Sequence, residues 1–233
     1  MKNPYTVVKD FEQAVCEYTG APYCVAVNSC TMALTVAVAW HLREFNRQRL
    51  ETDIWQSDEN ISYPGYVELR SKIEIPKHTY VSVPMAIIHA GGRPTFRDED
   101  WLGMYQLRPL PVWDSARRFS SKMYECISQC EAGATGQMVC VSFHASKILG
   151  DTQGGAILHD SYEADAWLRR ARFDGRTEGV APKDDTFTQI GYHCYMSPDV
   201  AARLLLKLYS LPLHNEPLPN DDYPDLSTLE IFK

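Results

Sequence analysis

The sequence predicts an α/β domain in which a mostly parallel sheet lies between helices. Short apolar runs of strand length alternate along the chain with segments whose apolar residues recur at helical spacing. Glycine and proline punctuate many of the junctions. Polar clusters follow directly on several of the apolar runs, and open α/β sheets bind ligands beyond the carboxyl ends of their strands.

The first helix is read over 7–18, where Val7, Val8, Phe11, Ala14, Val15 and Tyr18 share one face. Gly20 closes it, because glycine tolerates the left-handed cap. "YCVAVNS" (23–29) reads as a buried strand stopped at Asn28-Ser29, and an apolar helix follows from Met32 to about Phe45. Residues 46–72 are polar and read as an inserted excursion. "KIEIP" (72–76) is the next strand, and "VSVPMAIIHAGG" (81–92) a helix with its proline in the first turn. "RPTFRD" (93–98) and "LPVWD" (110–114) are strands, the second ending on an acid. A helix over 116–131 leads to strands at 137–144 and 155–160. Two more helices are read over 161–175 and 197–211. The organisation expected is one domain over 1–211 and an extended, proline-rich and acidic tail over 212–233.

Composition narrows the function. The chain has 233 residues, 45% of them hydrophobic, enough for one sizeable core. A net charge of −7 disfavours a grip on nucleic acid, which needs a basic stripe. Seven cysteines, an odd number without paired metal spacing, read as free thiols of a reducing compartment. The first residues lack the apolar core of a signal peptide, and no apolar run approaches membrane-spanning length. The expectation is a cytoplasmic protein with no membrane partner and no metal. Neither GxGxxG nor GxxxxGK[ST] occurs, so nicotinamide and nucleoside-triphosphate chemistry are disfavoured.

Three strand-end clusters carry the remaining signal. Ser29 to Thr31 sit between a strand and an apolar helix, where they are either N-caps or a phosphate seat. Asp114 is a helix cap or a functional acid. Lys147, in "VSFHASKILGDTQGGAIL" (141–158), is a snorkelling surface lysine or a reactive amine beside a glycine pair. Together they are the parts a pyridoxal phosphate site needs. A lysine forms the Schiff base, an acid keeps the pyridine nitrogen protonated, and a helix start receives the phosphate.

The chain resembles the DegT/StrS-type sugar aminotransferases, a branch of the fold-type I pyridoxal-phosphate enzymes. "FEQAVCEYTGAPYCVAVNSCTMAL" resembles that family's opening helix, strand and phosphate turn. "IEIPKHTYVSVPMAIIHAGGRPTFRD" resembles its next strand, helix and strand. "PVWDSARRF" resembles the strand ending in Asp, and 141–158 the lysine segment. "LRRARFDGR" and "GYHCYMSPDVAARLLLKL" resemble the later helix and the segment that reaches a neighbouring subunit. The resemblance implies a fold-type I large domain, its C-terminal small domain reduced or absent, binding pyridoxal 5'-phosphate. It makes Lys147 the Schiff-base lysine and Asp114 the partner of the pyridine nitrogen. Tyr80 would stack on the ring, and Cys30, Thr31 and Ser142 would hold the phosphate. Arg117 stands beside the cofactor where the family has Gln or His, and Cys30 where it has glycine. His193 takes the place of an Asn that reaches the partner's phosphate in a homodimer; the other reading of His193 is a satisfied core residue.

The function implied is transamination of a keto-sugar or nucleotide-linked carbonyl, with an amino acid as amine donor. Two rivals stand beside it: decarboxylation or elimination on the same cofactor, raised by Arg117, and a non-catalytic partner protein.

Overall fold

The computed structural model describes residues 5–55, 72–130, 136–220 and 222–233, the stretches 44–55 and 128–130 by backbone alone. The helices are α1 (Thr6–Thr19), α2 (Cys30–Trp55), α3 (Ser82–His89), α4 (Met123–Cys130), α5 (Tyr162–Ala171) and α6 (Pro198–Leu208). The strands are β1 (Tyr23–Val27), β2 (Lys72–Pro76), β3 (Arg93–Arg97), β4 (Tyr105–Gln106), β5 (Val112–Asp114), β6 (Met138–Ser142) and β7 (Gly155–His159). A five-stranded sheet runs in the order β1-β7-β6-β5-β4, and β2 pairs with β3 beside it. Reciprocal backbone bonds between Glu74 and Arg108, at 2.7 and 3.0 Å, join β2 to the chain leaving β4.

The sheet is mixed rather than mostly parallel. β5–β6 and β2–β3 are parallel, but β7 is antiparallel to both its neighbours and β4 is antiparallel to β5. The reason is in the connections. No helix crosses over between β6 and β7 or between β4 and β5, and a parallel pair needs such a crossover. β1, β5 and β6 nevertheless share one direction. β2 joins them, because its bridge to Arg108 is antiparallel and Arg108 continues the reversed course of β4. The carboxyl ends of β1, β2, β5 and β6 therefore open on one side of the sheet.

Helices cover both faces. Leu34, Ala37, Ile87 and Leu168, from α2, α3 and α5, pack on one face with Val25, Val112 and Ile157. Phe11, Val15, Met123, Ala201 and Leu204, from α1, α4 and α6, pack on the other with Val139, Val141 and Leu158. Successive side chains of a strand point to opposite faces, and in β6 and β7 both faces are buried, which sets this division.

Helix boundaries differ most from the sequence reading in two places, while the helices read over 81–92, 161–175 and 197–211 end three or four residues early. α2 continues to Trp55, since Arg47, Gln48, Arg49, Leu50 and Glu51 are strong helix formers without an apolar stripe. The rest of the excursion read over 46–72 lies outside the described residues up to Lys72. The helix expected over 116–131 begins only at Met123. Before it, the Ser121 and Lys122 amides donate to Leu213 and Tyr18 carbonyls, and Lys122 takes φ 57°.

The outer edge of β1 is capped by charge. Glu12 of α1 accepts from the Ala26 amide at 2.8 Å, and Arg172 donates to the Ala26 carbonyl at 2.7 Å. Arg169 reaches the Cys24 carbonyl at 3.1 Å, and both arginines pair with Glu12. An edge strand's unpaired backbone groups are thereby satisfied. Tail residues 212–220 and 222–233 lie back on the domain, with Leu226 fully buried and its amide donating to the Lys77 carbonyl at 2.9 Å. Among the described residues, no helix is long and apolar enough to cross a membrane.

Candidate active site

The strand ends converge on a cleft of about 430 Å³, within the range of small-molecule sites. Cys30, Thr31, Tyr80, Asp114, Arg117, Ser142 and Lys147 all line it. His193 does not. Its side chain is 72% exposed and bonded to Asp174 at 2.9 Å, so the core-histidine reading fails.

Asp114 ends β5 and is buried. One carboxylate oxygen accepts the Ala116 amide at 2.9 Å, a turn-forming bond that an aspartate makes readily. The other accepts the Tyr105 hydroxyl at 2.8 Å, and Tyr105 in turn lies 2.5 Å from the Thr79 hydroxyl. Burial pushes the Asp114 carboxyl above its ordinary value, against the opposing pull of these bonds and of Lys147 and Arg117.

Lys147 sits in the turn between β6 and β7, its amide bonded to the His144 carbonyl at 2.8 Å. Burial first, and then the Arg117 cation, hold its amine below the ordinary lysine value. A larger neutral fraction makes an amine a better nucleophile. Gly150 allows the tight turn: a Cβ there would lie 2.7 Å from the Ala145 carbonyl oxygen and 2.8 Å from that of Lys147.

The helix start is built for close approach. Ser29 accepts the Met32 amide on its hydroxyl at 3.2 Å and the Ala33 amide on its carbonyl at 3.0 Å, so it does act as an N-cap. Cys30 and Thr31 carry the first two N–H groups of α2, which have no carbonyl four residues back within the helix. The Thr31 hydroxyl donates to Ser82 at 2.8 Å. Gly155 lies directly beneath: a Cβ there would come within 2.5 Å of the Cys30 nitrogen. The missing side chain at Gly155 is what lets the turn before α2 pack this closely on β7. Burial pushes the Cys30 thiol well up, so the side chain is neutral. Ser142, at the end of β6, is buried beside the turn to His144.

Tyr80 lines the cleft and is 57% exposed, so it is not a core aromatic. Sequence reading missed Tyr105 and Thr79, which hold the acid, and Asp222 and Tyr223, which the tail brings over the cleft. Tyr105 stands in a strand of two residues, too short for a periodic signal.

Fold and cleft together define a class: a fold-type I large domain in which a strand-end lysine shares a cleft with a buried strand-end acid. The sequence profile of the DegT/DnrJ/EryC1/StrS aminotransferase family matches residues 1–46 and 109–216. The chain belongs to that family. Its fold is similar to that of the sugar aminotransferase CalS13 from Micromonospora echinospora, with a TM-score of 0.61 at 17% identity, over 88% of this chain and 60% of that one. It is also similar to PseC of Helicobacter pylori, an aminotransferase involved in the biosynthesis of pseudoaminic acid, with a TM-score of 0.60 at 16% identity over 88% and 58%. NtdA from Bacillus subtilis, with bound cofactor PMP, gives 0.57 at 16% identity over 88% and 48%. The chain spans between 48% and 60% of the length of these three structures.

Proposed function

We propose that the protein is a pyridoxal-phosphate-dependent aminotransferase acting on a keto-sugar or nucleotide-linked carbonyl, with Lys147 as covalent anchor and Asp114 as partner of the ring nitrogen. The observation that carries this reading is one cleft lined by a lysine, its amine held below the ordinary value by burial and Arg117, and a buried acid. The residues fit the cofactor. The lack of a side chain at Gly155 lets the Ser29–Cys30 backbone pack against β7, and the start of α2, whose Cys30 and Thr31 line the cleft, carries N–H groups suited to a phosphate. Thr31 and Ser142 add hydroxyls there, and Tyr80 offers a face to a planar ring. The family match and the sugar aminotransferase among the similar folds support the substrate class.

When bound, pyridoxal phosphate supplies an aldehyde to the lysine and a protonated ring that draws electrons from the substrate carbon. The protein's part is positional and electrostatic. The Asp114 carboxylate, already oriented by Ala116 and Tyr105, stabilises the proton on the ring nitrogen. Lys147 Nζ would hold the cofactor covalently, and its free amine would take the proton from the substrate carbon and return it. Burial, and after it Arg117, set how readily that amine loses its own proton.

Borohydride reduction of the cofactor-loaded protein, followed by peptide mapping, tests the reading. The pyridoxyl mass should be found on Lys147. Labelling at another lysine, or none at saturating cofactor, sinks it. Incubation with an amino acid should then convert the cofactor to its aminated form, as decarboxylation would not.

A further inference from the structure

Arg117 shares the cleft with Lys147, and the chain's own tail holds it. Its Nη2 donates to Asp222 Oδ1 at 2.9 Å and its Nε to the Tyr223 hydroxyl at 2.9 Å. The guanidinium also lies 4.7 Å over the Tyr223 ring. Tyr223 is fixed from several sides. It stacks on Trp101 with centroids 6.3 Å apart and rings 15° from parallel, and three residues on Leu226 is fully buried. Upstream, the Leu218 amide bonds the Arg117 carbonyl at 2.8 Å, and Asn220 bonds the Trp101 carbonyl at 2.9 Å.

Asp222 is different. Its side chain is 72% exposed, while that of Arg117 is 15% exposed. An ion pair with one partner so open to water contributes little and exchanges readily. It also uses only one oxygen on one guanidinium nitrogen, where a carboxylate free to orient can engage two N–H groups side by side. Lys147 and Arg117 line the same cleft, so a group on Arg117 stands next to the reactive amine.

We propose that Arg117 is the receptor for a substrate carboxylate, and that Asp222 is its exchangeable counter-ion, delivered by a tail that stays docked. The word substrate rests on the aminotransferase reading; the carboxylate subsite itself does not. Tyr223 keeps the guanidinium in place while the carboxylate on Nη2 is swapped. The tail thus shapes which acids enter, because an incoming carboxylate must outcompete Asp222 for the same donor.

The test uses glutarate, a dicarboxylate with no amine, so that binding involves no reaction. Its affinity for the cofactor-loaded protein is measured by calorimetry. Asp222→Asn removes the competing charge and should tighten glutarate binding by up to about fivefold, the most that an exposed ion pair contributes. Arg117→Lys loses the planar fork and should weaken it at least tenfold, by order of magnitude. Both variants should keep the parent's melting temperature within a few degrees. Glutarate affinity unchanged or weakened by Asp222→Asn overturns the proposal. So does a site that binds inorganic phosphate in an Arg117-dependent way and ignores glutarate. A cofactor absorbance band that depends on Lys147 is read separately, so the subsite and the aminotransferase reading fail independently.

Discussion

Glu12 and Asp114 are both carboxylates buried against the same sheet, and their proton affinities move in opposite directions. Burial raises each. At Glu12 the Arg172 and Arg169 cations, bonded directly to it, outweigh that cost and hold the carboxyl below its ordinary value. At Asp114 the direct bonds come from neutral donors, the Ala116 amide and the Tyr105 hydroxyl, and burial wins. The difference teaches how to tell a structural carboxylate from a working one. Glu12 has all the positive charge it needs and binds the edge of β1. Asp114 is oriented but not neutralised, which leaves it an electrostatic demand that a protonated ring nitrogen would meet.

Three substitutions probe that contrast, beginning with the one that should cost most. Glu12→Ala leaves Arg172, whose side chain is 3% exposed, with Glu178 as its remaining carboxylate partner among the described residues. Breaking a buried pair from one side costs about 3–5 kcal/mol, which denaturant unfolding should record. The pH dependence has a definite sign. The folded Glu12 carboxyl lies below the ordinary value of 4.5, so its contribution is complete above that value and is lost as pH falls through the lower folded one. The stability gap between parent and variant should therefore narrow in acid; a gap that stays constant would mean that Glu12 acts by shape alone.

Asp114→Asn should spare the fold, because an amide keeps the bond from Ala116 and can donate to Tyr105. Turnover should fall several hundredfold, the equivalent of roughly 3–4 kcal/mol of transition-state stabilisation. A variant that works near the parental rate would make Asp114 no more than a turn former. The smallest effect is expected at Arg117. Replacing it by Gln removes a cation that disfavours protonated Lys147, so the amine's pKa should rise. The pH midpoint for cofactor attachment, followed by absorbance, should move upward, and an unmoved midpoint would leave burial as the whole cause.

The sequence carried the helix whose apolar residues recur at helical spacing and the strands that read as short apolar runs. α1, β1, β2, β6 and β7 fall within a residue or two of their expected limits. The inner half of the cleft was legible too, because Cys30, Thr31, Asp114, Ser142 and Lys147 stand at strand ends. Strand direction was harder, since apolar patterning is the same for either orientation of β7. The acid's second donor, Tyr105, and the latch of Asp222 and Tyr223 were invisible for another reason. They depend on long-range packing of a two-residue strand and a proline-rich tail, which have no period to read. The shortened α4 has the same origin: tertiary bonds from Leu213 and Tyr18 capture amides that local sequence assigns to a helix.

The reversal of β7 also has a consequence for how the chain assembles. Because β6 and β7 are antiparallel and joined through 143–154, the bracket holding Lys147 closes a short loop. β1 must instead find β7 across most of the chain, Tyr23 settling opposite His159. Loop-closure entropy makes the first event cheap and the second slow. The lysine bracket therefore belongs to the locally folding part of the molecule. The start of α2 follows directly on β1, so the two walls of the cleft are joined by contacts far apart in sequence.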